Sequence, residues 1–443
     1  LTNWWGAVLD GLRKSKRRAG IPCRRLGCEP LEGRWLLSGV TLITHGFNDD
    51  VTGWVSRLAD EISGVGDPAV DQLRYVVEVT DPDHDGGPLS VVNTSFSGPS
   101  LTSPTTAFPE LVILLDWSDV AGKIEADPKA ARYYRSTVDV AAAVAEKLVI
   151  PGFFTELPAP IAQLPLHLIG HSRGGSLVAE LARDVGQYGV WVDQVTTLDP
   201  HPVDGKGGDD LVDWGDAPMN VWENFYFADN YWREDGANLG ELFLDVDGEA
   251  VEGAYDGQLS ESTLGGFIGF DPGYELEHSD VHLWYHGTVD KTGAVSDGKV
   301  NDFDPDAHDW YGGPNPPRET SGYYFSRVIG GERPKEGIAG ALGGDAHREP
   351  LDWSEATWPN LLDFRVDPAD LEATAGDPIQ VDFYYHDYDS SAELNLYLDQ
   401  DRNPHNGFDV QTAQGRLLER TFPEIVRRSR RSMSTETAGA GTY

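Results

Sequence analysis

Cysteine is almost absent from this chain. Cys23 and Cys28 are the only two in 443 residues, and both fall before Gly39. If that leader is removed, no disulfide can staple the remaining chain and no cysteine can serve as its nucleophile. Basic charge is also scarce: 34 Lys and Arg stand against 73 Asp and Glu, for a net charge of -39. So acidic a chain is a poor partner for nucleic acid or an anionic membrane surface. It suits a solvated surface, a salty medium or calcium-binding loops. No apolar run reaches the roughly 18 residues that a transmembrane helix needs.

What basic charge there is gathers at the start. Before Gly39 there are eight basic residues (Arg13, Lys14, Lys16, Arg17, Arg18, Arg24, Arg25, Arg34) and three acids (Asp10, Glu29, Glu32). Residues 1–38 therefore read as a targeting segment outside the fold, although no clean apolar core follows the basic cluster. Leu31-Glu32-Gly33-Arg34-Trp35-Leu36-Leu37-Ser38 resembles the Leu-Glu-Pro-Arg-x-Leu-Leu signature at the start of large exported bacterial proteins, with Gly33 in place of the proline. That resemblance implies export.

From Val40 the pattern is one of strands alternating with helices. Val40–Thr44 reads as a first buried strand, and Leu111–Leu115 is a continuous apolar run of the kind that a central parallel strand needs. Strands are also expected at Tyr75–Val79, Leu89–Phe96, Pro165–Gly170, Gln194–Leu198 and Val221–Phe227. Helices are expected around Trp54, Leu58 and Ile62, and after Ser172 on Leu177, Val178, Leu181 and Val185. A longer one should carry Tyr134, Val138, Ala141, Ala145 and Leu148 on one face and stop at Pro151. This predicts an α/β fold with a mostly parallel central sheet. The loop Asp81-Pro82-Asp83-His84-Asp85-Gly86-Gly87 begins like an EF-hand loop, but Val92 stands where a bidentate Glu belongs, and it reads as a turn.

The chain divides into an α/β body over residues 39–345, a linker over 346–362 and a further unit over 363–425. Within the body, residues 203–277 form a Gly- and Asp-rich insertion that could be a lid or a satellite core. The strands around Phe364, Ile379–Tyr385 and Leu394–Leu398 alternate like half-buried strands, and the unit resembles a partial all-β immunoglobulin-like sandwich. Residues 426–443, with their arginine cluster, are expected to be a disordered tail.

The most informative stretch is Gly170-His171-Ser172-Arg173-Gly174-Gly175. It lies between a strand and a helix, and its glycines permit a tight elbow that lifts the Ser172 hydroxyl to the helix N-terminus. A serine nucleophile needs a base, and the base needs an orienting acid. Asp199, at the end of the next strand, is the first candidate acid and Asp229 the second. For the base, His278 and His282 compete. His278 should precede a short helix capped by Ser279 or Asp280, whereas His282 would sit inside it. Two backbone donors are needed for an oxyanion: the N–H of Arg173, next to the serine, and that of Phe47, in the turn His45-Gly46-Phe47 after the first strand.

Together, His45-Gly46-Phe47, Leu115-Asp116-Trp117-Ser118, the Ser172 elbow, Leu198-Asp199-Pro200, and His278 followed by Trp284 and Tyr285 resemble the α/β-hydrolase lipases and esterases. The similarity is greatest to their pancreatic-lipase-like branch. The resemblance spans roughly residues 40–289 and implies Ser172 as nucleophile, Asp199 as acid, His278 as base, and Phe47 and Arg173 as oxyanion donors. It implies a secreted or surface hydrolase acting on an ester or lipid, at the cell surface or in the extracellular matrix. No cofactor or catalytic metal is implied, and structural calcium stays open. The branch's disulfides have no counterpart here, the insertion over 203–277 does not match its lids, and the immunoglobulin-like unit stands in place of its C-terminal lipid-binding domain. The alternative is a non-catalytic surface or adhesive module that keeps the hydrolase fold.

Overall fold

The computed structural model describes residues 39–64, 73–98, 110–123, 133–157, 160–205, 213–233, 248–259, 276–289, 316–317, 319–366, 378–386, 388, 392–398, 410–417 and 427–434. The expected leader 1–38, much of the expected insertion 203–277 and the last nine residues of the expected tail lie outside them.

An eight-stranded sheet runs through the body in the order β3-β2-β4-β1-β5-β6-β7-β8. Its strands are β1 (Val40–Thr44), β2 (Leu73–Thr80), β3 (Ser90–Ser97), β4 (Leu111–Asp116), β5 (Leu166–His171), β6 (Val192–Leu198), β7 (Phe225–Arg233) and β8 (Tyr255–Leu259). Every neighbouring pair from β2 to β8 is parallel, and β3 pairs antiparallel with β2 at one edge. Four α-helices are described: α1 (Trp54–Gly64), α2 (Thr137–Val149), α3 (Arg173–Gln187) and α4 (Leu276–His286). This is an α/β fold with a mostly parallel central sheet, consistent with the α/β-hydrolase class expected from the sequence.

Successive strand residues point to opposite faces, so a strand covered on both sides is rich in apolar residues on each. Leu42, Ile113, Leu115 and Leu168 join α2 and α3 in one core, built on Val140, Val144, Leu148, Leu177, Leu181 and Val185. Ile43, Val112, Leu114 and Ile169 join α1 and α4 in the other, with Trp54, Leu58, Ile62, Val281 and Trp284. Each such side chain contributes on the order of 1.5–3 kcal/mol when fully buried. With so many of them, the body needs no disulfide.

Three details depart from the pattern read in the sequence. The inward stripe of α2 is Thr137, Val140, Ala141, Val144, Ala145 and Leu148; Val138 is exposed and Tyr134 precedes the helix. Ser136 caps α2, accepting the Asp139 N–H at 3.1 Å, and the helix phase follows from that start. Strand β7 runs on past Phe227 through polar residues, because Thr196 and Thr197 hydrogen-bond to Asp229 and Asn230 across the ladder at 2.6 and 2.7 Å. Strands β7 and β8 both come from residues 203–277, so part of the expected insertion belongs to the sheet.

Residues 346–362, expected as a linker, lie against the body. The Glu349 N–H donates to Val221 O at 2.8 Å, and Trp353 Nε1 donates to Glu223 at 2.7 Å. Beyond them, β9 (Asn360–Val366), β10 (Pro378–His386) and β13 (Arg427–Ser434) form an antiparallel sheet in the order β13-β10-β9, and β11 (Ala392–Leu398) pairs with β12 (Val410–Leu417). The segment Arg427–Ser434, expected to be disordered, is therefore a strand. Its pairing satisfies the backbone groups along one side of β10 and sets Arg430 opposite Asp382 in register. An aromatic contact joins the two units: Trp191 donates to the Tyr388 hydroxyl, and Trp353 stacks between them at 6.2 and 5.0 Å.

Candidate active site

The carboxyl ends of β1, β4, β5 and β6 carry the residues in question, as expected of an open parallel sheet. Ser172 follows β5 at φ 56° and ψ -129°, a strained conformation for a residue with a side chain. The strain is held by the Ser172 N–H, which donates to Leu198 O at 2.9 Å, and by the Ser172 carbonyl, which accepts the Gly175 N–H at 2.8 Å. Gly170 must lack a side chain, because a Cβ there would stand 2.0 Å from Gly174 O. The turn can therefore fold back tightly enough to place Ser172 at the start of α3.

Asp199 follows β6, fully buried and at φ 44°. Its Oδ1 accepts the Arg233 N–H at 2.9 Å, and its Oδ2 lies 2.5 Å from Nδ1 of His278. The Arg233 guanidinium is also buried, with Nε 3.4 Å from Asp199 Oδ2. Burial pushes the Asp199 carboxyl up to about 6, against the opposing pull of Arg233. An imidazole held by a carboxylate at Nδ1 carries its proton there, which leaves Nε2 as the basic position.

His278 lies in the first turn of α4, not in a loop ahead of it. His171, the residue before Ser172, donates from Nε2 to the His278 carbonyl at 2.9 Å, and the two rings are 4.4 Å apart. Burial, reinforced by the neighbouring His278, pushes the His171 imidazole well below its usual range. It is therefore a neutral brace that ties α4 to the elbow.

The two alternatives are engaged elsewhere. His282 is buried and stacked on Trp54 at 4.4 Å, edge-on to His171 at 4.9 Å. Asp229 lies within β7, where its Oδ1 accepts from Thr196 at 2.6 Å and from Gln194 at 3.1 Å. Burial pushes its carboxyl up to about 6. The structure thus brings together Asp199 and His278, and neither Asp229 nor His282 joins them.

On the other side of Ser172 stands the turn after β1. His45 is fully buried; its Nδ1 is 2.8 Å from Gly46 O, and its Nε2 is 3.3 Å from the Trp117 N–H and 3.4 Å from Asp116. These partners assign the proton to Nδ1, which donates to the Gly46 carbonyl. Phe47 is half-buried with its ring 5.5 Å from Trp214, and the next residue, Asn48, donates its N–H to Gly122 O at 3.0 Å. Burial works to raise the Asp116 carboxyl, but its hydrogen bonds, among them that from the Ser118 N–H at 2.9 Å, hold it down at about 2.

Sequence reasoning set Asp116 at a strand end beside the site but missed Arg233, His171 and Asp216 as its neighbours. His171 lies inside a motif quoted and could have been found there. Arg233 and Asp216 come from regions without periodicity and carry no local signal.

Among the described residues, no group of three or more His, Cys, Asp or Glu side chains is placed to hold a metal ion. In the loop that begins like an EF-hand, the Asp81 carboxylate accepts from Tyr133, from Arg135 at 2.8 Å and from the Gly86 N–H at 3.3 Å. Nor is any described helix long and apolar enough to cross a membrane.

No family model matches the chain, and no curated protein matches it. Among solved structures, the "putative cell surface hydrolase" from Lactobacillus plantarum WCFS1 is similar over 56% of this chain and 90% of its own, with 12% identity and a TM-score of 0.28. A gene product of Listeria innocua is similar over 51% of this chain and 85% of its own, with 10% identity and a TM-score of 0.29.

Proposed function

We propose that this chain is a secreted or surface-attached serine hydrolase that cleaves carboxylic esters through an acyl-enzyme. The observation that carries the reading is the 2.5 Å contact between His278 Nδ1 and Asp199 Oδ2 beside a serine on a strained elbow. In this reading Ser172 Oγ attacks the ester carbonyl while His278 Nε2 takes its proton, and Asp199 stabilises the imidazolium that forms. The carbonyl oxygen becomes an oxyanion held by the N–H groups of Arg173 and Phe47. Collapse of the tetrahedral species breaks the ester bond, and His278 returns the proton to the departing alcohol. Water then repeats the cycle on the acyl-serine, releasing the acid and regenerating Ser172.

Secretion is supported by the basic leader and by the likeness of residues 31–38 to an export signature. The test is labelling of the folded protein by a fluorophosphonate, together with turnover of esters from short to long acyl chains. Labelling at Ser172, and at least about a 10³-fold loss of ester hydrolysis in Ser172→Ala, is the expected result. Failure to label, or equal hydrolysis by the Ser172→Ala protein, would leave the non-catalytic surface module as the better reading.

A further inference from the structure

Arg173 follows the nucleophile, yet its side chain turns down into the protein and is 1% exposed. Its Nε and Nη2 meet the two oxygens of buried Asp216 at 2.6 and 2.5 Å. Its Nη1 donates to Ala121 O at 2.6 Å and its Nη2 to Arg135 O at 3.0 Å. The guanidinium lies between the rings of Trp117 and Trp214, 5.0 and 4.7 Å from their centroids. Asp216 also accepts the N–H groups of Thr137 and Val203, at 3.0 and 2.9 Å.

A buried ion pair is a poor source of stability, because desolvation offsets most of its attraction; well-packed apolar residues often do as well. What this pair does hold is a set of loops around the elbow, and two routes lead from it to the two peptides that flank Phe47. The first runs through Ala121 to Gly122, whose carbonyl accepts the Asn48 N–H at 3.0 Å. The second runs through Trp117, whose Nε1 donates to His45 O at 2.9 Å and whose ring stacks on the His45 ring. His45 in turn donates from Nδ1 to Gly46 O at 2.8 Å. In a planar trans peptide the carbonyl and the following N–H point in opposite directions. Holding Gly46 O toward His45 therefore turns the Phe47 N–H the other way.

We propose that the Arg173 side chain is a positioning residue that fixes the spacing of the two oxyanion donors, its own N–H and that of Phe47, through Ala121 and through Trp117 and His45. The inference rests on the serine-hydrolase reading above. It assigns the side chain a task that Lys cannot perform, because an ammonium lacks the fork that spans Asp216 and Ala121 together.

The test uses the full chain and two variants: Arg173→Lys, and the double variant Arg173→Met with Asp216→Asn, which leaves no unpaired buried charge. Each is measured for kcat and KM on an activated ester, and for inhibition by a trifluoromethyl ketone, which forms a tetrahedral oxyanion adduct with serine. The expected result is a kcat lowered by roughly 10- to 100-fold. KM should stay within about twofold, and affinity for the ketone should fall by the same factor as kcat/KM. Retention of kcat within about threefold, or a loss confined to KM, overturns the proposal; so does loss of the native fold in both variants, which would make the pair a folding element. A wild-type chain that neither labels with fluorophosphonate nor turns over esters fails the underlying reading instead, and the proposal falls with it.

Discussion

Gly46 lies so close to Ser172 that a Cβ built on it would stand 2.7 Å from Ser172 Cβ and 3.1 Å from its Oγ. The two turns that carry the proposed nucleophile and the proposed oxyanion donor are in contact, and only a missing side chain allows it. Gly46→Ala is expected to push them apart and to cost at least about 10²-fold in kcat/KM, the effect of losing one oxyanion donor. Steady-state kinetics on a folded Gly46→Ala protein checks this, and wild-type rates would contradict it.

The two candidate acids separate by mutation. Asp199→Asn keeps the shape but removes the acceptor for His278 Nδ1–H, and about a 10⁴-fold fall in kcat is expected. Asp229→Asn changes a carboxylate bonded within the sheet and should leave kcat within about threefold. Comparing the two variants on one ester decides between them.

The histidines separate in the same way. His278→Ala should lower kcat by at least about 10³-fold. His282→Phe retains an aromatic ring to stack on Trp54 and should leave the rate within a few-fold of wild type, the measurement being kcat in proteins of matched circular dichroism. A reversed order of losses would move the base to His282.

Glu110 offers a test through pH. Its carboxylate accepts the Gly39 N–H at 2.9 Å and the Thr41 hydroxyl at 2.8 Å, yet burial pushes it up to about 7 from 4.5. A carboxyl raised on folding binds its proton more tightly in the native state. Its penalty is absent below the unfolded value and fully present above about pH 7. Glu110→Gln should therefore gain stability relative to wild type as pH rises from 4 to 8 (roughly the interval bracketing the two values), read from urea midpoints along the series. A constant difference across that range would refute the assignment.

The sheet was legible because its central strands are buried on both faces and rich in apolar residues: Val40–Thr44 and Leu111–Leu115 read as strands and occur as β1 and the core of β4. The edges of the pattern were not. Strand β7 continues through Asp229 and Asn230 because neighbouring threonines bond to them, and a partner on another strand leaves no trace in local periodicity. The chain order of Ser172, Asp199 and His278 could be read from motifs. The groups packed around them could not: Arg233 at Asp199 and Asp216 at Arg173 are contacts made across loops of irregular sequence. Helix α4 was expected one turn late because Ser279 and Asp280 look like caps, whereas the helix begins at Leu276.

His278 reaches Asp199 from 79 positions further along the chain. What seats it is the underside of its own helix: His282 on Trp54, Trp284 and Tyr285 against Tyr231 at 4.9 and 5.8 Å, and His171 on the His278 carbonyl. The helix is thus a plug docked on the sheet rather than the end of a taut tether. Closing a longer loop costs only about 0.6 kcal/mol per doubling of its length. Changes in the length of the connections between the acid and the base should therefore leave the reacting groups where they are, provided Asp216, Tyr231 and Arg233 keep their places in the frame.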